Sequence, residues 1–454
     1  MITYSIIKRS ELEGALRLDA EYYQPEYLDL YSKLKNQNSK LLEEIAESVV
    51  SFGAYSLTNY IEWEESGVPY LNVEDIRDGR INFDGTKFIS ERVDEILKKS
   101  RVREGQVIIT MAGTIGEAAV AHKIPKRVNS NQATAKITLK QGLSPYYLAA
   151  FLNSYFGKKQ TEREIVSSVQ PNIFLGSIKN LRVFMPASKQ QETIEKTYKL
   201  GLDEYENSKS FYSQAENLLL GELGLGDFKI EDDLSFAANL SEIKSSHRAD
   251  AEYFQPKYDK LILRLKGQSI KPLINVIENM PARFNPNSKP DETFHYVELA
   301  NINSSIGIID GFSEVLGKEA PSRAKRILKV GDVIVSSVEG SLEKVALVNK
   351  EQEGNLASTG FFQFRSKEIL PEVLLVLSKS IVLKMQLEKQ CAGTILAAVP
   401  QDALKNIFVP ILSKPAQEKI ADLVRKSHQA RKKSKELLEE AKRKVEEIIE
   451  KGGE

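Results

Sequence analysis

Acidic side chains near a lysine form one cluster in which catalysis is conceivable. Asp75, Asp78 and Asp84 precede Lys87 around a predicted turn, a composition that could suggest a nuclease. Carboxylates in turns more often accept hydrogen bonds from nearby backbone amides, so we do not expect catalysis here. The four histidines lie far apart, without the spacing of metal ligands. We therefore predict no metal site.

Two further catalytic patterns are missing from the sequence. No GxxxxGK[ST] phosphate loop occurs, which argues against ATP-driven chemistry in this chain. An adenine methyltransferase would carry an Asn/Asp-Pro-Pro-aromatic motif for a flipped base, and the nearest string, PNIF from Pro171, has the wrong order. The sequence therefore predicts a non-catalytic chain without a cofactor of its own.

Polar loops beside predicted strands carry side chains that could read nucleic-acid bases. In the N-terminal half, a Gly-bounded turn from Met111 to Glu117 follows an apolar strand, and cations and amides come next. Asn and Gln can pair bidentately with adenine, while Lys and Arg reach phosphate groups or guanine. The candidates in this half are Thr114, Lys123, Lys126, Arg127, Asn129, Asn131, Gln132, Ser168, Gln170 and Asn172.

The C-terminal half contains comparable loops. A polar turn follows the strand that ends near Ser336, and a Pro-rich segment from Pro281 is able to project from the surface. For any single residue, an ordinary turn or surface charge is at least as good an interpretation, so the prediction concerns the set. The candidates in this half are Arg283, Asn285, Asn287, Arg323, Lys325, Arg326, Ser337, Ser341, Lys344, Ser358 and Thr359.

The segments that would hold these loops are duplicated. Arg17–Tyr27 reads RLDAEYYQPEY and Arg248–Tyr258 reads RADAEYFQPKY, with eight of the eleven positions identical. VREGQVIITMAGTIGEAAVAHK from Val102 has a counterpart in LKVGDVIVSSVEGSLEKVALVNK from Leu328. Base-reading residues would be free to differ between the copies. The duplicated phrase therefore predicts a structural anchor at the start of each copy, or a shared docking site.

Each copy ends in a long segment with a heptad pattern. The first runs from about Lys189 to Glu222 without proline, and the second from about Pro415 to Glu450. Apolar and small residues alternate at spacings of three and four along both, which is typical of a helical seam. The seam residues are Ile194, Tyr198, Gly201, Tyr205, Ser208, Tyr212, Ala215, Leu219, Ile420, Leu423, Ser427, Ala430, Ser434, Leu437, Ala441, Val445 and Ile448.

These two helices have two possible packing partners. Each could pack on its own globular region, or the two could pair as an antiparallel coiled coil. We predict the pair, because both seams occupy the same place in the repeat and their central small residues allow close approach. About thirty residues at about 1.5 Å each would make a rod of about 45 Å that holds the globular regions apart.

Composition restricts the class of protein. The chain has 454 residues, with 63 basic and 63 acidic side chains, so a nucleic-acid-binding face must be a local patch. A single cysteine, Cys391, rules out an internal disulfide and favours a reducing cytoplasm. No apolar run approaches the length of a membrane span, and the N-terminus lacks the apolar run of a signal peptide.

The fold class predicted from this organisation is α/β (α+β), with two repeated mixed domains and two long helices related by a pseudo-two-fold axis. Short apolar runs predict strands at Val68 to Ile76, Arg80 to Phe88 and Gln106 to Met111, and a helix at Pro145 to Tyr155. The predicted domains are residues 1–186, a central helix 187–226, residues 227–412 and a C-terminal helix 413–454.

This plan resembles the specificity subunit of type I restriction–modification enzymes. The resemblance covers essentially the whole chain and rests on phrases that occur twice in the same order, including Asn72 to Ile76 with Glu298 to Ile302. The approach to each helix also repeats, as IKNLRVFMPASKQQETIEK and LKNIFVPILSKPAQEKIADL. The sequence departs from the family's common Ser-Gly-x-Thr-Pro phrase at Phe52 and at Pro281, so no base contacts are transferred.

The resemblance implies that each globular region is a target recognition domain that reads half of a split double-stranded DNA sequence. It implies that the helices set the gap between half-sites and bind two methyltransferase (modification) subunits, with restriction subunits joining outside. S-adenosylmethionine, ATP and Mg²⁺ would then belong to those partner subunits. The expected protein is cytoplasmic, non-catalytic and without a membrane partner.

An alternative from another class stays open at this point. The neutral net charge is compatible with a duplicated protein–protein adaptor that uses its helices as an interface and does not bind DNA. A steep fall of DNA affinity with salt, together with preference for one bipartite sequence, would distinguish the two functions.

Overall fold

The computed structural model describes residues 4–12, 17–52, 59–166, 171–393 and 397–452. The chain forms two compact units. The first unit comprises Met1–Tyr205 and Lys432–Glu454, and the second comprises Glu206–Arg431.

The first unit is a mixture of short strands and helices. Pro25 and Pro145 stand in the first turn of their helices, where a missing N–H costs nothing, and Ser144 caps the second by accepting a bond from Tyr147 N. The helices are α1 (Pro25–Lys35), α2 (Leu42–Ile45), α3 (Glu91–Ile96), α4 (Pro145–Asn153), α5 (Tyr155–Glu164), α6 (Leu175–Lys179) and the beginning of α7 (Ser188–Glu222). The strands are β1 (Ser39–Leu41), β2 (Ala46–Val50), β3 (Trp63–Glu64), β4 (Val68–Leu71), β5 (Ile76–Arg77), β6 (Arg80–Ile81), β7 (Lys87–Ile89), β8 (Val107–Thr110), β9 (Ala118–Val120), β10 (Asn129–Ser130), β11 (Thr134–Leu139) and β12 (Arg182–Phe184).

Two sheets form the centre of this unit. One is antiparallel in the order β2-β11-β8-β9, and the other has the order β10-β4-β7-β3 with a parallel β10–β4 pair. Every residue of β8 is buried, which matches the apolar run Val107–Ile109 in its sequence. Helix α4 covers this sheet and places Leu148 and Phe151 in the core.

Some predicted strands are shorter in the structure. The strand predicted from Val68 to Ile76 ends at Leu71, because Asp75 Oδ2 accepts a bond of 2.7 Å from Asn72 N and folds the chain into a 3₁₀ turn. The strand predicted from Arg80 to Phe88 is two strands, β6 and β7. Strand β8 and helix α4 lie within the predicted segments.

The second unit has the same plan. Its helices are the end of α7, then α8 (Leu240–Ser246), α9 (Pro256–Leu265), α10 (Leu273–Val276), α11 (Pro371–Lys379), α12 (Ile381–Gln390) and the beginning of α13 (Lys414–Glu450). Its strands are β13 (Ile270–Pro272), β14 (Ile277–Asn279), β15 (Thr293–Val297), β16 (Ile302–Asn303), β17 (Ile308–Ile309), β18 (Ser313–Leu316), β19 (Ala324–Ile327), β20 (Val333–Ser336), β21 (Val345–Leu347), β22 (Leu356–Ser358), β23 (Phe361–Ser366) and β24 (Phe408–Pro410).

Strand order demonstrates the duplication. The order β14-β23-β20-β21 repeats β2-β11-β8-β9, and β18-β15-β22 repeats β7-β4-β10 with the same parallel pair. A two-stranded pair at each end, β1–β12 and β13–β24, precedes the long helix of each copy. The predicted fold class, two mixed α/β regions with long helices, is confirmed.

Helices α7 and α13 pack against each other within each unit. In the first unit, Lys444 Nζ donates to Thr197 Oγ1 at 3.0 Å, and a Cβ added at Gly201 would lie 3.0 Å from Leu438 Cγ. In the second unit, Ser427 Oγ donates to Ser208 O at 2.6 Å. Residue numbers rise along one helix as they fall along the other, so the pairing is antiparallel.

Both helices also pack on the globular part of their own unit. Tyr205 OH donates to Asn82 Oδ1 at 2.9 Å in the first unit, and Arg431 Nη2 donates to Asp310 Oδ2 at 2.6 Å in the second. The two packing alternatives drawn from the sequence are therefore both present.

The seam of α13 differs in detail from the prediction. All the predicted α7 seam residues are buried, but Leu423, Leu437 and Ile448 of α13 are only half-buried. The fully buried positions are one residue further along, at Val424, Leu438 and Ile449. The buried stripe is wider than a two-helix seam because each helix also covers its globular region.

Candidate nucleic-acid interface

Three loops of the first unit meet at one end of the β8–β9 hairpin. The first loop is residues 111–117, the second is 131–133, and the third is the described part of 165–174. Met111 N donates to Ala133 O at 2.7 Å, and Ile173 N donates to Met111 O at 3.0 Å. Ala112 and Asn172 also form an isolated antiparallel bridge. These contacts define what we call the three-loop surface.

The second unit builds the same surface from different residues. Its three loops are 337–343, 358–360 and the described part of 391–400. Ser337 N donates to Gly360 O at 2.9 Å, Val399 N donates to Ser337 O at 2.8 Å, and Val338 bridges Ala398. Loops carried by a buried sheet and differing in sequence are suited to reading different ligands.

Part of the predicted set in the first unit lies on this surface. Thr114 is exposed in the first loop, and Asn131 and Gln132 are half-buried in the second. Asn172 is half-buried in the third. Asn131 Oδ1 accepts a bond of 3.1 Å from Ala133 N, so its amide shapes the turn as well. Ser168 and Gln170 lie outside the described residues.

Other predicted residues of the first unit lie elsewhere. Lys123 follows β9, whereas the first loop precedes it, so the hairpin carries Lys123 at its opposite end. Lys126 and Arg127 lie in the segment between β9 and β10, where Arg127 Nη1 pairs with Glu91 Oε2 at 3.2 Å. Lys123 pairs with Asp203 of α7. Neighbouring positions in the sequence are thus separated by the length of a strand.

Asn129 has an internal role. It is fully buried, and its Nδ2 donates to Asp94 Oδ1 at 2.9 Å and to Leu97 O at 3.3 Å. Its amide is therefore directed into the unit and not to the surface.

Cations gather beside the second loop of the second unit. Arg323, just before β19, and Lys325, on β19, are both exposed. Thr359 N donates to Arg323 O at 2.9 Å. Phe284 N donates to Lys325 O at 3.1 Å, which brings the exposed Arg283 next to them. Exposed positive charge at a loop suits phosphate contact.

The remaining candidates of the second unit mostly build the loops themselves. Arg326 is buried and its Nη1 donates to Met280 O at 2.6 Å, and Lys344 Nζ donates to Ile302 O at 3.3 Å. Ser358 is buried and accepts from Gly360 N, and Ser341 Oγ donates to Val338 O at 3.0 Å. These side chains support the surface from within.

Three further candidates of the second unit lie at or near the surface. Ser337 is half-buried in the first loop. Asn285 and Asn287 are exposed, and Asn287 N donates to Asn285 Oδ1 at 3.2 Å, which forms a tight turn.

Two lysines that the sequence analysis did not select lie at the corresponding place in the first unit. Lys98 and Lys99 are exposed in a 3₁₀ turn, and Ser130 Oγ donates to Ser100 O at the end of that turn at 3.1 Å. The second loop follows Ser130 directly. The Lys-Lys pair itself was visible in the sequence. Its position beside the second loop was not, because that loop lies about thirty residues further along the chain and only the fold brings the two together.

A buried cation lies behind this loop. Lys136 on β11 is fully buried, and its Nζ donates to Ser130 Oγ at 3.1 Å. Burial lowers the pKa of Lys136 to about 8. The matching position on β23 is Gln363, whose Nε2 donates to Asp332 Oδ2 at 2.7 Å.

The residues around this position also differ between the units. Arg365 Nε donates to Asp332 Oδ1 at 2.8 Å in the second unit. In the first unit the equivalent pair is neutral, with Gln106 Nε2 donating to Thr138 Oγ1 at 2.9 Å. The carboxylate of one unit is therefore matched by an amide in the other.

The acidic cluster noted in the sequence is dispersed. Asp75 bonds to Asn72 N, and burial raises its pKa to about 6, while Asp78 pairs with Arg80. Within the described residues, no group of three or more His, Cys, Asp or Glu side chains could hold a metal ion. None of the described helices is long and apolar enough to cross a membrane.

Part of the chain is similar to a known protein family. Residues 35–210 match the family model for the type I restriction modification DNA specificity domain. The chain is 25% identical over 131 residues to the type I restriction enzyme EcoBI specificity subunit of Escherichia coli. That alignment covers 29% of this chain and 27% of the relative, so it spans about a quarter of that protein.

Solved structures of similar proteins align over most of the chain. One is the S subunit of a type I restriction–modification system from M. genitalium, with 15% identity, a TM-score of 0.41 and coverage of 92% of this chain and 96% of that one. Another is the HsdS subunit from Thermoanaerobacter tengcongensis, with 14% identity, a TM-score of 0.30 and coverage of 91% and 95%.

Proposed function

We propose that this chain, which matches the model of the type I restriction modification DNA specificity domain over residues 35–210, reads a DNA target in two parts. One observation carries the proposal: the same three-loop surface recurs in both units with different side chains. A repeated scaffold with different loops is suited to two different half-sites. In this proposal the chain acts by binding and leaves catalysis to other subunits.

The two surfaces offer different chemistry to DNA. The first presents Thr114, Gln132 and Asn172, whose hydroxyl and amide groups can reach base edges, with Lys98 and Lys99 nearby for phosphate. The second presents a more cationic face around Arg323 and Lys325. We expect the first surface to favour adenine contacts, because side-chain amides pair bidentately with that base.

Other subunits would supply the chemistry. We propose that two methyltransferase subunits dock on this chain and methylate adenine with S-adenosylmethionine. Restriction subunits would cleave DNA using ATP and Mg²⁺. The paired helices α7 and α13 would then set the gap between half-sites. Inserting one helical turn into one seam should change the preferred gap and leave both half-sites unchanged; an unchanged gap would contradict this role.

Mapping of methylated bases tests the proposal directly. The chain is co-expressed with a methyltransferase subunit of its own system, and methylated adenines are mapped across the genome. We expect a single split motif with a fixed gap. A stable complex that methylates no such motif would overturn the proposal.

The salt dependence of DNA binding separates this function from a protein–protein adaptor. Each phosphate contact releases counterions, so the logarithm of affinity should fall linearly with the logarithm of salt concentration. An adaptor would show neither this steep dependence nor a preference for the mapped motif.

A further inference from the structure

Each copy of the duplicated phrase, Arg17–Tyr27 and Arg248–Tyr258, contacts the helix that precedes the third loop of its unit. This helix is α5 in the first unit and α12 in the second. In the first unit, Arg17 Nε donates to Asp19 Oδ1 at 2.9 Å, and its Cζ lies 4.2 Å from the ring centre of Tyr22. Arg163, in the last turn of α5, packs on the same ring at 4.0 Å and donates from Nε to Tyr22 O at 3.0 Å. Tyr22 is thus held between two guanidinium groups.

The second unit repeats this arrangement with one substitution. Arg248 Nε donates to Asp250 Oδ1 at 2.8 Å, and its Cζ lies 4.5 Å from the ring centre of Tyr253. Lys389, in the last turn of α12, takes the place of Arg163, with its Nζ 5.2 Å from that ring centre. The second unit therefore keeps the Arg–Asp–Tyr group and a cation from the helix.

In each unit the first arginine also reaches a carbonyl at the end of that helix. Arg17 Nη2 donates to Ile165 O at 3.5 Å, and Arg248 Nη2 donates to Cys391 O at 2.8 Å. The last carbonyls of a helix lack partners within it, and a cation there interacts favourably with the helix dipole. Ile165 and Cys391 are the C-cap residues of α5 and α12.

The third loop begins directly after these carbonyls. Val166 N donates to Asn172 O at 3.1 Å, and Ala392 N donates to Ala398 O at 3.0 Å, so each loop is closed one residue beyond the C-cap. The loops differ completely in sequence, VSSVQPNIF against AGTILAAVP, whereas the phrase is nearly identical. An invariant support under a variable loop is what a positioning device requires.

We infer that Arg17 and Arg248 are positioning residues, each fixing the start of the third loop and thereby the DNA discrimination of its own unit. This inference rests on the proposed function. The guanidinium groups of both arginines pair with the carboxylates of Asp19 and Asp250, so we assign the arginines to support of the loop and not to base contact. Loss of either arginine should impair one half-site only.

The test uses the complex with the methyltransferase subunit and the mapped bipartite duplex. Arg17→Met and Arg248→Met are compared for binding to the cognate duplex and to duplexes in which one half-site is scrambled. We expect each variant to lose about tenfold in discrimination at one half-site, a different one for each, since a charge-assisted bond is lost. Asp19→Asn and Asp250→Asn serve as milder second variants with the same expected pattern.

Hydrogen exchange of the free chain provides a readout that does not depend on DNA. Protection of the Val166 and Ile173 amides should fall in Arg17→Met, while the Ala392 and Val399 amides keep theirs. Arg248→Met should give the reverse.

The outcomes separate the two hypotheses. If the wild-type complex shows no preference for the bipartite duplex, the proposed function is overturned. Wild-type preference with variants that retain full discrimination, or that lose both half-sites equally, would overturn the positioning role alone. Should a methionine variant unfold, the Asp→Asn pair and the exchange of single amides decide the question.

Discussion

Replacing Lys136 with methionine should stabilise the first unit at neutral pH. The ammonium group is fully buried on β11 and donates to Ser130 Oγ. Burial lowers its pKa from the ordinary 10.5 to about 8. Methionine has a similar length and carries no charge, so the variant removes the buried cation and keeps most of the packing.

The expected gain follows from that pKa. A change from 10.5 to about 8 corresponds to about 3 kcal/mol of unfolding free energy at pH 7. Loss of the bond to Ser130 costs about 1 kcal/mol, although Ser130 Oγ keeps its bond to Ser100 O. The net gain at pH 7 is therefore about 2 kcal/mol.

The gain should depend on pH in a defined direction. Below about pH 8 the lysine is protonated in both states, so the folded state carries the full cost of the buried charge. Between about pH 8 and 10.5 the unfolded chain binds more protons, and wild-type stability rises relative to the variant. The advantage of methionine should thus fall to about 1 kcal/mol at pH 9.

Urea unfolding followed by tryptophan fluorescence measures this effect. Trp63, the single tryptophan, lies on β3 of the first unit and reports on its unfolding. With a urea dependence of about 2 kcal/mol per M, the midpoint should rise by about 1 M at pH 7. Lys140→Met, at an exposed position just after the same strand, should change stability by less than about 0.5 kcal/mol. No rise at pH 7, or an equal rise at pH 7 and 9, would refute the reasoning.

Two other substitutions test the helix pair and the cationic face. Gly201→Leu should destabilise the chain by about 1–3 kcal/mol, because even an added Cβ would lie 3.0 Å from Leu438 Cγ on the facing helix. Gly221→Ala, at a position with open space, should stabilise the chain by about 0.5–1 kcal/mol. Equal effects of the two variants in thermal unfolding would contradict close helix packing. Removing Arg323 and Lys325 together should lower DNA affinity and reduce by about 2 the slope of log affinity against log salt concentration. Lys126→Ala should leave that slope unchanged. The reverse pattern in binding titrations would show that Arg323 and Lys325 do not contact phosphate groups.

The long helices were predictable because their pattern is regular over many turns. Both begin one residue before the predicted position and end where expected, at Glu222 and Glu450. It was harder to predict which residues of α13 face the interior. Leu437 and Leu438 are adjacent, and either of them fits a heptad pattern. In the structure Leu438 faces Gly201 of α7 and is buried, whereas Leu437 is half-buried.

The loops were less predictable because polar residues serve two purposes. Asn129 and Asn131 are two positions apart and look equivalent in the sequence. The fold buries Asn129 against Asp94 and leaves Asn131 in a surface turn. Likewise, Lys123 follows Thr114 closely in the chain, but a β-hairpin places the two at opposite ends. Long-range contacts decided both cases, and no local pattern encodes them.

The matched strands β11 and β23 carry different polar residues, which limits recombination between the two halves of the coding sequence. A crossover that placed β23 in the first unit would bring in the guanidinium of Arg365 without the carboxylate of Asp332. The reciprocal chimera would set the Lys136 ammonium beside that carboxylate and could retain its fold. Exchange of the matched segments between the halves is therefore directional, and productive recombinants should carry β23 together with Asp332, the residue before β20.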